Sequence, residues 1–335
     1  MTQVTVLGAG GWGTALAILL HGNGYQVRLW EYFQDRAEEL KENRLNKIFL
    51  PGIDIPRDIL ITHRQKDALE GSDLAVFALP SHLMRKLAAG VASLMKPGSL
   101  SVNVAKGLER ETLKRMSQVL EEELSAGTPI VTLSGPSHAE EVSRGIPTAV
   151  VAASRSENHN RRVQTAFMSP NFRVYTNDDL VGVELAGSLK NIIAIAVGIC
   201  DGLGYGDNTK GALITRGLAE ISRLGQALGA RQETFAGLSG MGDLITTCAS
   251  RHSRNRYVGE QIGRGRSLQE VLDSMEMVAE GVNTTDSGWA LARRTGVEMP
   301  ITEQVYGVLF ERKDPRKAVN DLMTRGPKSE ITAKE

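Results

Sequence analysis

The chain has 335 residues, 41% of them hydrophobic but only 5% aromatic, and its 39 basic side chains balance its 39 acidic ones. That length suggests two domains, and the balanced charge argues against a global field that draws in nucleic acid or an anionic membrane. Two cysteines, Cys200 and Cys248, are too few for a disulfide framework or a cysteine metal cluster, so no metal site is expected.

Residues 4–7 form an apolar strand that runs straight into Gly8-Ala-Gly-Gly-Trp-Gly and a helix over residues 12–23. In that setting the G-x-G-x-x-G spacing of Gly8, Gly10 and Gly13 predicts a dinucleotide-binding turn. Gly8 permits the tight turn, Gly10 lets the backbone approach a pyrophosphate, and Gly13 lets helix and strand pack closely. The N–H groups of the first helical turn then face the phosphates. Residues 27–30 make the second strand, with a helix over 35–46. Glu31 closes that strand, about 20 residues beyond the glycines, where a carboxylate accepts from a ribose 2′-OH and repels a 2′-phosphate. No arginine follows before Arg36, so the cofactor reading leans to NAD over NADP.

Further strands are expected at residues 59–62, 74–78, 100–104, 130–133, 148–153 and 173–175. Between them stand a helix from residue 81, an amphipathic stretch over 111–124, and a short helix over 137–142 headed by the capping box Ser137-x-x-Glu140. This alternation predicts an α/β, Rossmann-like, doubly wound parallel sheet over residues 1–178. Ligands bind at the carboxyl ends of such strands. Ser81 and His82, Lys106, and the turn Ser134-Gly-Pro-Ser137 all fall there. Ser137 reads first as an N-cap, although the same geometry would present its hydroxyl to an anion, and His138 has no partner spacing that assigns it a role.

Beyond residue 177 the strand pattern stops. Helices are expected over 180–200, 209–228, 255–262, 268–275, 284–295 and 302–311, separated by glycine-rich loops. They predict an all-α domain over 179–325, followed by a polar, flexible tail over 326–335. The segment 180–200 is long enough to span a bilayer. It contains Glu184, Lys190 and Asn191, however, and charge at mid-helix is costly in lipid, so a buried helix of a soluble domain is the better reading. The chain opens on a strand without a basic, leader-like segment, which with the sparse cysteines favours the cytoplasm.

Lys190 sits in Leu189-Lys-Asn-Ile-Ile-Ala, and a lysine in an apolar helix must snorkel, pair or lose its proton. Lowering its pKa by desolvation suits it to proton transfer, whereas pairing with Glu184 or another acid would make it structural. Gly240-Met-Gly-Asp243 puts an acid after a glycine-rich turn. Arg251-His-Ser-Arg-Asn-Arg256 is the densest basic cluster, suited to a phosphate through arginine forks.

Taken together, these pieces resemble NAD(P)-dependent glycerol-3-phosphate dehydrogenases of the bacterial type. The matching elements are Gly8-Ala-Gly-Gly-Trp-Gly, Lys106-Gly-Leu-Glu, Ser134-Gly-Pro-Ser, Leu189-Lys-Asn-Ile-Ile-Ala, Ala212-Leu-Ile-Thr-Arg-Gly, Gly240-Met-Gly-Asp-Leu, Ser253-Arg-Asn-Arg and Glu280-Gly. The resemblance implies an N-terminal Rossmann domain and a helical C-terminal domain. It implies interconversion of dihydroxyacetone phosphate and sn-glycerol 3-phosphate with NAD or NADP, for glycerophospholipid supply, by a monomer or homodimer. Lys190 takes the proton-transfer role, Lys106 touches substrate and cofactor, and Asp243 holds Lys190 or accepts from a substrate hydroxyl. Gly135, Ser137, Asn191, Ser253, Arg254 and Asn255 line the substrate site. Gly11, Trp12, Tyr32, Ala139, Arg254, Val278 and Glu280 join Gly8, Gly10, Gly13, Glu31 and Lys106 on the cofactor. Many bacterial members carry basic residues just after the second strand, where this chain has Glu31-Tyr-Phe. A dehydrogenase of 3-hydroxy acids would share the architecture and the Lys-Asn pair, but the Ser253-Arg-Asn-Arg cluster favours a phosphorylated substrate. A non-enzymatic sensor of NADH is the rival from another class.

Overall fold

The computed structural model describes residues 2–330. The N-terminal half contributes β1 (Gln3–Leu7), β2 (Gln26–Trp30), β3 (Leu45–Asn46), β4 (Leu50–Asp54), β5 (Leu60–Thr62), β6 (Leu74–Phe77), β7 (Leu100–Asn103), β8 (Ile130–Ser134), β9 (Thr148–Ala153) and β10 (Phe172–Asn177). Eight of them form one sheet in the order β10-β9-β8-β7-β6-β1-β2-β5, and β3 and β4 make a separate antiparallel ribbon. β1 pairs in parallel with β2 on one side and β6 on the other, so Leu7 lies between Trp30 and Phe77. The chain winds outward in both directions from this point, which opens a crevice at the strands' carboxyl ends. β6, β7 and β8 are buried at every position, as strands covered on both faces must be.

The sheet departs from the expected all-parallel pattern at one pair, because β9 runs antiparallel to β8. The link between them holds only the four-residue helix Ala139–Val142. A parallel return normally needs a crossover helix, and here the chain doubles back instead. The Glu157–Phe167 helix, absent from the sequence reading, supplies such a crossover between β9 and β10, which are parallel.

The second half is all-helical and is organised by the 23-residue helix Leu180–Gly202, which begins just after β10. Asp179 caps it by accepting from Gly182 N at 2.9 Å. Of its most apolar stretch, 94% is buried inside the protein. The helices Asp207–Ala227, Asp243–Ala249, Arg254–Gly263, Glu280–Thr295 and Pro300–Phe310 pack around it. A helix apolar on every side is the centre of such a domain. Its closest neighbour is the Arg254–Gly263 helix, and glycines make the approach possible. A Cβ on Gly198 would stand 2.0 Å from Arg256 O, and one on Gly259 would stand 2.1 Å from Ile195 O. The two backbones therefore touch, and the seam carries Asn255 to Asn191.

Glu184 bolts this helix beneath the strand ends. It is 5% exposed and accepts from Ser117 N at 2.8 Å, Ser117 Oγ at 2.5 Å and Thr132 Oγ1 at 3.2 Å, and it pairs with Arg115. A buried carboxylate needs such a full set of donors. Its partner is Arg115, not Lys190. Elsewhere the helices Gln232–Phe235, Asp243–Ala249 and Pro315–Met323 stand where no helix was expected. Residues 326–330 of the expected tail are exposed, with Lys328 paired to Glu298 at 2.6 Å, and the last five lie outside the described residues.

Candidate active site

Where the helical half meets the strand ends, two lysines share one carboxylate. Lys190 points from the central helix with its Nζ 2.9 Å from Asp243 Oδ1, and it also donates to Thr247 Oγ1. Lys106, in the segment leaving β7, places its Nζ 2.8 Å from Asp243 Oδ2 and donates to Gly135 O at 2.8 Å and Ser137 Oγ at 3.2 Å. Lys190 is 5% exposed and Asp243 3%. Burial pushes the Lys190 ammonium down to about 8, with Asp243 opposing the shift and Lys106 adding to it. Burial alone would raise the Asp243 carboxyl, but the two ammonium groups outweigh it and hold it below the usual range.

Asp243 is delivered by an unusual turn. Leu238–Gly242 is π-helical and runs directly into the Asp243–Ala249 helix, in place of the flexible loop its glycines suggested. Such wide turns recur at functional sites because they re-aim one side chain without ending the helix. Thr247, one turn further on, donates to Asp243 O at 2.6 Å and is thereby fixed to receive Lys190.

The expected capping box is corrected. The short helix starts at Ala139 with His138 as N-cap and no side-chain cap, and Ser137 turns toward Lys106 and Gly135 O instead. The pull of an ammonium and a local carbonyl outweighs a single helix-end N–H. His138 itself has a buried Nε2 with no hydrogen-bond partner, and its ring centroid is 6.0 Å from that of His252. Burial, then the charges of Lys190 and Lys106, push its imidazole below its ordinary value.

A chain of buried amides locks this floor. Gly281 N donates to Asn255 Oδ1 at 2.8 Å, Asn255 Nδ2 to Asn191 Oδ1 at 2.9 Å, and Asn191 Nδ2 to Lys106 O at 3.4 Å. Ser253 caps the Arg254–Gly263 helix by accepting from Arg256 N at 3.2 Å. Arg254, the first residue of that helix, is exposed and makes no protein hydrogen bond or ion pair among the described residues, with Glu140 and Glu280 as its charged neighbours.

The glycine loop occupies the other wall. Gly8 has φ +117°, and a Cβ on Gly13 would stand 1.9 Å from Gly8 O. Gly10 precedes the Gly11–Gly22 helix with no capping side chain, and nothing lies within 4 Å of the position its Cβ would take. An uncapped helix N-terminus in open space fits a dinucleotide pyrophosphate. The Trp12 ring lies tilted against Phe172 with centroids 6.5 Å apart, and a Cβ on Gly11 would reach to 3.7 Å from Ala139 Cβ. Glu31 is 6% exposed and Tyr32 59%. Across the cleft, Glu280 accepts from Ser81 N at 2.8 Å and Ser81 Oγ at 2.6 Å, and Val278 is exposed beside it.

Family models for the N-terminus and the C-terminus of NAD-dependent glycerol-3-phosphate dehydrogenase match residues 3–160 and 179–320. The chain belongs to this family. A glycerol-3-phosphate dehydrogenase [NAD(P)+] of Fusobacterium nucleatum is 51% identical over 332 residues, covering 99% of each chain. One from Chlorobium phaeobacteroides is 54% identical over 331 residues, covering 98% of this chain and 99% of its own. The crystal structure of a glycerol-3-phosphate dehydrogenase from Coxiella burnetii superposes with a TM-score of 0.93 at 39% identity, covering 97% of this chain and 99% of that one.

In this member of the glycerol-3-phosphate dehydrogenase family, Lys190, Lys106, Asp243, Gly135 and Ser137 form one connected cluster, with Asn191 and Asn255 linked behind it. The sequence reading missed Thr247, although its i, i+4 spacing from Asp243 was visible. It also left His138 unassigned. Arg36, the first arginine after Glu31, folds back onto Glu31 with its Nε 3.2 Å from Oε2. Nothing in the strand-helix pattern shows that the helix after β2 turns this side chain inward.

Proposed function

We propose that the chain catalyses the reversible reduction of dihydroxyacetone phosphate to sn-glycerol 3-phosphate with NAD or NADP. The observation that carries this is the buried Lys190 amine, held by Asp243 and Thr247 and joined through Asp243 to Lys106 in the segment that leaves β7.

The nicotinamide, when bound, exchanges a hydride with the substrate's central carbon. Negative charge then develops on the attached oxygen, and Lys190 stabilises it and supplies the proton. In the reverse direction neutral Lys190 removes the hydroxyl proton, for which an amine brought down to about 8 is well matched. Lys106 adds positive potential and is the more accessible of the two amines, with a side-chain exposure of 20% against 6%. Asp243 has both oxygens engaged by lysines. This favours a positioning role over direct acceptance from a substrate hydroxyl.

Arg254 holds the phosphate. Its guanidinium is unspent in the protein, and the N-terminus of its helix adds a favourable dipole for a dianion. Binding energy at the phosphate orients the carbonyl near Lys190. Burial, then the charges of Lys190 and Lys106, disfavour the charged form of His138, which leaves Arg254 as the better counter-charge for the phosphate.

Absorbance loss of NADH on adding dihydroxyacetone phosphate tests the reading. A steady, substrate-dependent rate supports it. Activity with a 3-hydroxy acid, and none with dihydroxyacetone phosphate, overturns it.

A further inference from the structure

We infer that Arg36 admits a ribose 2′-phosphate and that the Glu31–Arg36 pair sets the balance between NADH and NADPH. The inference rests on the dinucleotide reading of the glycine loop and goes beyond it to the adenosine end of the cofactor. An acid at the end of β2 by itself excludes a 2′-phosphate. Here that acid is neutralised, because Arg36 Nε stands 3.2 Å from Glu31 Oε2, with side-chain exposures of only 16% and 9%.

The guanidinium is held in place and is not used up. Its Nη2 donates to Ala9 O in the glycine loop at 3.3 Å and to Asn46 Oδ1 at 3.0 Å, and the Phe49 ring lies 4.0 Å from its centre. Asn46 in turn donates to Ala9 O and Thr14 Oγ1, both at 2.9 Å. Nε is buried without a well-aligned hydrogen bond, and Nη1 donates to no protein group among the described residues. An arginine has five donors in a flat fork; here Nη2 is taken and the buried Nε faces Glu31, which leaves the two Nη1 donors, unused among the described residues, beside the loop that holds the cofactor's phosphates.

Glu31 is similarly divided. Its Oε1 accepts from Phe33 N at 3.1 Å, which fixes the carboxylate while leaving lone pairs for a ribose hydroxyl. One pair therefore offers an acceptor for a 2′-OH and a cation for a 2′-phosphate.

Fluorescence titration of wild type, Arg36→Gln, Arg36→Lys and Glu31→Gln with NADH and with NADPH reads the affinities without turnover. Arg36→Gln should weaken NADPH by at least about tenfold, the scale of losing a hydrogen bond to a charged group, while NADH changes by less than about threefold, a neutral contact's worth. Arg36→Lys should fall between wild type and Arg36→Gln for NADPH. Glu31→Gln should tighten NADPH and weaken NADH, and it decides the matter alone if the Arg36 variants do not fold. Equal losses for both dinucleotides in Arg36→Gln would show that Arg36 only braces the glycine loop, and unchanged ratios in every variant would equally overturn the inference. Failure of wild type to bind either dinucleotide would defeat the cofactor reading itself.

Discussion

Lys190 Nζ stands 2.9 Å from Asp243 Oδ1, and the other oxygen of that carboxylate is taken by Lys106. The pairing places two ammonium groups on either side of one buried acid, so neither lysine swings freely. Removing the inner amine tests which of them moves the proton. Lys190→Ala should keep NADH binding, because the glycine loop is untouched, and should cut turnover by about a hundredfold or more, the usual scale for an acid–base group. Near-normal turnover in this variant would take Lys190 out of the chemistry.

The same amine predicts opposite pH profiles for the two directions. Reduction needs protonated Lys190, so its rate should fall as pH rises through about 8. Oxidation needs the neutral amine and should rise across that range. Asp243 opposes the downward shift of Lys190, so Asp243→Asn should move both limbs to lower pH. Rate profiles in both directions, for wild type and variant, check the sign. A limb that stays in place would mean that Asp243 does not act on the titrating group.

The limits of the sequence are clearest at this cluster. Lys190 stood out because a charge in an apolar run demands an explanation, and Lys106 because it follows a buried strand. Their common partner was not legible, since Lys106 and Asp243 are 137 positions apart and meet only through the packing of two domains. The alternating strands and the helical second half were plain from periodicity. The Leu238–Gly242 turn was not, because glycine's poor helix propensity argues for a loop and tertiary contacts override it. Ser137 misled for a related reason: a capping box is a local signal, and Lys106 arrives from outside it.

Arg254 carries a separate prediction, because its guanidinium makes no protein hydrogen bond or ion pair among the described residues while Arg256 beside it is bound to Asp201. Arg254→Ala should raise the KM for dihydroxyacetone phosphate by about tenfold to a hundredfold, the range for losing charge-assisted hydrogen bonds. Loss of protein stability should be small, since no hydrogen bond or ion pair of Arg254 among the described residues is lost. An unchanged KM would remove Arg254 from the phosphate site, and a large drop in melting temperature would mean that the residue is structural.

The seam between the two central helices gives the last prediction, and it links stability to the site. A Cβ on Gly259 would stand 2.1 Å from Ile195 O and 2.8 Å from Ile199 N. These are backbone atoms, so no rotamer change relieves the clash and the helices must separate. Overpacking of this kind costs about 1–3 kcal/mol. For a domain of this size each kcal/mol lowers the melting temperature by roughly 2–4 °C. Gly259→Ala should therefore melt roughly 2–12 °C below wild type, taking both ranges together. The separation also draws Asn255 from Asn191, which are 2.9 Å apart and connect through Asn191 to the backbone of Lys106. Turnover well below the melting range should consequently fall as well, with NADH affinity little changed. A variant that melts like wild type would show that the seam yields easily, and one that is destabilised but fully active would show that the amide chain does not position Lys106.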